Sequence, residues 1–146
     1  MTINTSSETL SLARELDESA ASAYEAMVAK FGAQCSVLAG FAAENRKLRD
    51  QIERAYYGVI TDAIEGCFCF NLEPDAYRVG ADVSRMSTEN DAIRAALQIE
   101  EAAAKFYKDA GQQGSLTMAD FGRALALVAR KREDRARKLR SSLQPF

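Results

Sequence analysis

Apolar residues recur along this chain at alternating steps of three and four, the period of helices with one buried face. On a first helix the stripe runs Leu10, Ala13, Asp17, Ala20, Tyr24 and Phe31; on a second it runs Leu38, Phe41, Asn45, Leu48 and Ile52. A third helix carries Ile93, Ala96, Glu100, Ala103 and Tyr107, and a fourth carries Leu125, Val128, Arg132, Arg135 and Leu139. Each stripe is broken at mid-helix by a polar residue: Asp17, Asn45, Glu100 and Arg132, with Arg135 one turn further on. Polar interruptions at one level of a packed interior predict a site or the remains of one, because an unpartnered buried polar group is costly.

Punctuation bounds these helices. The first is expected from Ser7 to Phe31, with Ser6 or Ser7 as N-cap and Gly32 as the stop. The second runs from Ala33 to Glu65 and ends at Gly66, weakened but not ended by Gly40 and Gly58. The third starts at Ser87 or Thr88, places Glu89 and Asp91 near its positive end, and stops at Gly111. The fourth starts at Thr117, where Asp120 completes a capping pattern, and runs to about Ser141. Between the pairs, residues 66–86 make a crossover whose Phe68, Phe70, Leu72, Tyr77 and Val79 predict packing along the outside of the helices. The stretch Ala13 to Tyr24 matches Ala96 to Tyr107, 83 positions later, down to an acid pair followed by tyrosine. The prediction is a single all-α domain over 1–146: one αα-hairpin over about 7–65, a long crossover, and its repeat over about 87–141.

Composition narrows the function classes. Hydrophobic residues at 47% and charged residues at 27% are ordinary for a globular chain, and 2 Pro with 8 Gly favour helix. The longest uncharged runs fall short of the roughly 18 apolar residues of a membrane span. The polar start Met1-Thr-Ile-Asn-Thr-Ser is unlike a signal peptide, so a cytoplasmic location and no membrane partner are expected. The count of zero histidines excludes a Ser-His triad, a Cys-His pair and any histidine-ligated zinc or haem. Cys35, Cys67 and Cys69 lack C-x-x-C spacing and are expected as reduced thiols. No phosphate-binding glycine loop or hydrolase carboxylate pair occurs.

Both hairpins resemble the ferritin-like domain of rubrerythrins and related erythrins, from about Leu10 to Leu139. In the third helix, Glu100 precedes Phe106-Tyr107 by six residues, similar to the family pattern, and Asn71-Leu-Glu-Pro-Asp-Ala-Tyr77 is similar to its leucine-acid-tyrosine linker. The resemblance implies a ferritin-like four-helix bundle. It also implies two irons held by a Glu on each first helix and Glu-x-x-His on each second helix. The ligand pattern is not kept. Phe41-Ala-Ala-Glu-Asn-Arg-Lys-Leu48 puts Asn45 and Leu48 at a Glu and a His position; Val128-Ala-Arg-Lys-Arg-Glu-Asp-Arg135 puts Arg132 and Arg135 at the others. Only Asp17 and Glu100 keep a carboxylate, and cations repel divalent metals. No catalytic residue, metal or cofactor is expected.

Two carboxylates and two guanidinium groups make a neutral set, and the expectation is that Arg132 and Arg135 pair inward with Asp17 and Glu100, with Asn45 joining either side. The function expected first is a metal-free structural, binding or regulatory protein, as a homodimer. A second reading is a metal-binding oxidoreductase or iron-handling protein with a rearranged site drawn from Asp17, Glu18, Glu44, Glu100 and Glu101. A third is an anion or nucleic-acid binder: from Arg123 to Arg140 eight cations face two acids. The chain-wide pI of 5.3 and the absence of interleaved aromatics weigh against nucleic acid.

Overall fold

A computed structural model of the chain describes residues 2–59, 69–115 and 118–143, and these are all-α, with no strand beyond an isolated bridge between Ile3 and Leu72. Thr5, Ser6 and Ser7 are each competent to cap the first helix, and Glu8 decides between them. The Thr5 hydroxyl accepts from the Glu8 N–H at 3.2 Å, while the Glu8 carboxylate accepts from the Thr5 and Asn4 N–H groups. The cap is therefore Thr5 rather than Ser6 or Ser7, and helix α1 is Ser6–Phe31.

Gly32, at φ 71°, reverses the chain in a conformation that favours glycine. A tight turn, Gly32–Cys35, takes the residues expected to open the second helix, so α2 begins three positions late and spans Ser36–Val59. Its expected end at Glu65 and Gly66 lies outside the described residues, as do Cys67, Phe68 and Thr117. Helices α1 and α2 run antiparallel, as their cross-pairs show: Arg14 with Glu53, Glu18 with Arg49 and Glu25 with Arg46 step in opposite directions. By length and composition the helical run Ser6–Gly58 contains a stretch apolar enough to cross a membrane. That run is two helices folded back on each other at Gly32 rather than one continuous rod.

The crossover is tied to the N-terminus by Ile3 and Leu72, whose backbones exchange bonds of 2.7 and 3.0 Å. Phe70, Leu72 and Tyr77 are buried and Val79 is half-buried. The Tyr77 hydroxyl donates to Asp109 at 2.8 Å, with its ring edge-on to Phe106.

Helix α3, Glu89–Gly114, is capped by Thr88 with Asp91 as its reciprocal partner. It does not stop at Gly111. Gly111 lies within it, where α4, Ala119–Ser142, packs against it almost backbone to backbone, and Gly114 ends it against the Phe70 ring. A Cβ at Gly111 would meet Ala126 N and Gly122 O at 3.1 Å; one at Gly122 would lie 2.7 Å from Ser115 N and Cα. At the start of α4 the cap position is Met118, with no side-chain bond; Asp120 instead pairs with Arg123 at 2.7 Å. α1 neighbours α2 and α3, and α4 neighbours α3 and α2.

The buried apolar side chains form two separate clusters. One gathers Leu10, Leu16, Leu48, Ile52, Phe106, Phe121 and Val128; the other gathers Ala20, Tyr24, Met27, Leu38, Phe41, Ala96 and Leu139. Each draws on all four helices. Between them, on every helix, lies a polar residue.

Candidate functional site

That layer consists of Asp17 from α1, Asn45 from α2, Glu100 from α3, and Arg132 and Arg135 from α4, each at most 3% exposed. Tyrosines apart, Ser6 and Thr9 at the start of α1 are the other buried polar side chains among the described residues. Leu48 is buried too, but it packs into the first apolar cluster and takes no part in the polar contacts.

Arg132 is the centre. Its Nη2 donates to Asp17 Oδ1 at 2.5 Å and its Nη1 to Glu100 Oε2 at 2.7 Å, so one planar guanidinium spans carboxylates on two helices. Arg135 lies one turn on. Its Nη1 donates to Asn45 Oδ1 at 2.7 Å and to Glu100 Oε1 at 3.4 Å. Its Nη2 donates to Glu44 Oε1 at 2.7 Å, and the guanidinium carbon sits 4.8 Å from the Phe41 ring centre. Glu44 is 44% exposed and closes the network toward solvent.

Two tyrosines complete the layer in a crossed arrangement. Tyr24 on α1 donates to Glu100 on α3, and Tyr107 on α3 donates to Asp17 on α1 at 2.8 Å. Each tyrosine lies seven residues after the acid of its own helix and bonds the acid of the other, so the repeat at offset 83 reappears as reciprocal contacts. The repeated acid-to-tyrosine spacing was visible in the sequence; that each phenol serves the opposite helix was not, since spacing carries no record of which helices become neighbours.

Burial raises both phenols well above their ordinary value, and the adjacent Glu100 and Asp17 charges add to it, so both remain donors. Burial also pushes the Asp17 carboxyl up, against the pull of Arg132 and the Tyr107 bond. For Arg132, burial opposes the charge, and Glu100 and Asp17 together outweigh it, holding the guanidinium above its ordinary range. Glu44 is held low by its bond to Arg135. The arrangement is closed: every carboxylate already accepts from a guanidinium, and both tyrosines are protonated. The exception is Arg132 Nε, a buried donor with no acceptor among the described residues.

The other acids considered as metal ligands do not join Asp17 and Glu100. Glu18 pairs with Arg49 at 3.1 Å and Glu101 with Arg140 at 3.3 Å, both at the surface, while Glu44 faces Arg135. Among the described residues no three Asp, Glu or Cys side chains converge as a metal ligand set. Cys35 is buried, which raises its thiol, with Glu89 adding to the shift. The basic charge of α4 is largely matched: Arg132 and Arg135 point inward, and Arg123, Arg137 and Arg140 pair with Asp120, Asp134 and Glu101. Arg130, Lys131 and Lys138 have no acid within ion-pair distance among the described residues.

Compared with protein-family models, curated proteins and solved structures, the chain matches none.

Proposed function

We propose that the chain is a rubrerythrin-like, ferritin-like four-helix bundle of two repeated hairpins in which an ion network has replaced a di-iron centre. It acts as a non-catalytic structural, binding or regulatory protein of the cytoplasm, as a homodimer. The observation that carries this reading is the Arg132 guanidinium seated between Asp17 and Glu100, the two positions at which the resemblance keeps a carboxylate. A guanidinium there supplies the positive charge that bridging metals supply in the family. The residues present do not fit two irons: of the six ligand positions, Leu48 is apolar, Asn45 is neutral, Arg132 and Arg135 are cations, and both acids are already bonded to Arg132. The crossed tyrosine-acid bonds and the polar layer contributed by all four helices favour descent from a duplicated hairpin.

The experiment is a reversion. In the variant carrying Asn45→Glu, Leu48→His, Arg132→Glu and Arg135→His, cobalt(II) should bind at two ions per chain with visible ligand-field absorption, while the natural chain binds none. A folded reversion variant that takes up no cobalt would remove the ferritin-like reading. Stoichiometric iron in the natural chain, purified from iron-rich medium and lost in Glu100→Ala, would remove the metal-free one. Sedimentation equilibrium tests the homodimer.

A further inference from the structure

Outside the ion layer, a groove of about 310 Å³ opens between α1 and α2. Its two walls carry opposite character. Asp17, Glu18 and Glu25 come from α1, whereas Asn45, Arg46 and Arg49 come from α2; Ala21, Ser22 and Ala42 fill the space between. The floor is formed by two side chains that are almost wholly buried, Asp17 at 3% and Asn45 at 2% exposure. The Asn45 oxygen is fully engaged, accepting from Arg135 at 2.7 Å. The Asn45 Nδ2 is not: among the described residues its acceptor is the Asp17 carbonyl, 3.5 Å away, the far limit of a hydrogen bond. A buried amide donor at the bottom of an open groove therefore has capacity for an incoming acceptor.

The rim is held loosely. Arg46 lies 3.7 Å from Glu25, with both side chains more than half exposed, while Arg49, 25% exposed, donates to the 70% exposed Glu18 at 3.1 Å, so the Arg46–Glu25 pair is the looser of the two. Exposed pairs of this kind contribute little and are readily exchanged for a ligand that offers both charges. We propose that this groove binds a small zwitterion, a free α-amino acid with a short side chain. Its carboxylate lies against α2, taken by Arg46, Arg49 and the Asn45 amide, and its ammonium lies against α1, taken by Glu18 and Glu25. The walls of Ala21, Ser22 and Ala42, and the volume, admit a methyl or hydroxymethyl side chain. A simple anion meets the acids of α1, and a simple cation meets the arginines of α2; only a molecule carrying both charges satisfies both walls.

Isothermal titration of the full chain with L-alanine, with acetate and methylammonium as single-charge controls, tests this. Saturable binding of alanine is expected, with neither control saturating at about 10 mM, since each forfeits one charge-assisted set of bonds. Glu18→Gln and Arg46→Gln, both surface changes, should each weaken alanine binding about tenfold with unaltered helical circular dichroism. Failure of alanine to bind at about 10 mM overturns the proposal, as does equal affinity in the natural chain and both folded variants. Since the titration uses neither metal nor the reverted ligands, its outcome is independent of the ferritin-like reading.

Discussion

The α1–α2 and α3–α4 pairs start from the same repeated stretch and meet in opposite ways. Between α1 and α2 the contact is made by side chains: Arg14, Arg46 and Arg49 reach across to Glu53, Glu25 and Glu18, and a groove is left between the helices. Gly40 and Gly58 on α2 face open space. Between α3 and α4 the contact is made by backbone: a Cβ at Gly122 would come within 2.7 Å of Ser115, closer than side chains sit, and one at Gly111 would meet Ala126 and Gly122 at a tight 3.1 Å. A methyl finds room at Gly40 of α2, whereas the α3–α4 contact leaves none for a Cβ at Gly122. Two helix pairs that carry a similar stretch can thus differ in how their helices touch while one buried layer draws on both.

The largest effect is expected where both pairs meet. Arg132→Leu strands Asp17 and Glu100 together in the core and should cost about 3–5 kcal/mol in denaturant unfolding. Adding Glu100→Leu should recover part of that loss, because one desolvated charge is gone. Strictly additive losses in this cycle would show that Arg132 and Glu100 do not act as a pair.

The glycines sharpen the contrast directly. Gly122→Ala forces a methyl to 2.7 Å from the Ser115 backbone and should destabilise by about 1–3 kcal/mol. Gly40→Ala sits within α2 with nothing inside 4 Å and should stabilise by about 0.5–1 kcal/mol through helix propensity. Equal effects of the two substitutions on melting temperature would erase the distinction between the interfaces.

Acidification probes the ion pairs and caps together. Bonds from Thr5 and the nearby amides hold Glu8 low, Arg78 holds Glu15 low, Arg135 holds Glu44 low, and the Ser87 and Thr88 amides hold Asp91 low. A carboxylate lower in the fold than in the unfolded chain adds stability that is complete above its unfolded value and is lost as pH falls through its folded one. Asp17, raised by burial, carries the opposite sign and offsets part of this loss. Stability should decline below the ordinary glutamate value of 4.5, and Glu44→Gln should flatten the slope. A profile unchanged by Glu44→Gln would detach Glu44 from the network. The smallest effect is expected for Glu18→Gln at the α1–α2 surface, below about 1 kcal/mol in thermal unfolding.

The layer was legible because a charged residue on an otherwise apolar stripe has few alternatives to pairing: Asp17, Glu100 and Arg132 announce themselves by position. Helix ends were less so. Gly111 reads as a stop, yet the same missing Cβ also permits close packing, and only the neighbouring α4 distinguishes the two roles. At the other end of the chain, Ser6 and Ser7 read as the cap, and the reach of Glu8 chose Thr5 instead. Glu44 could be read as an acid of the second helix, but its partner Arg135 lies 91 positions away and no local pattern links them.

The layer that divides the apolar interior also indexes the helices against one another. Sliding α4 by one turn displaces it by about 5.4 Å. Such a shift would carry the Arg132 guanidinium out of reach of both acids and into the apolar side chains above or below. Two greasy clusters alone would accept several such alignments with little penalty. With a cation of α4 inserted between acids of α1 and α3, only one axial alignment leaves no charge stranded, so the network works as a locating pin for assembly.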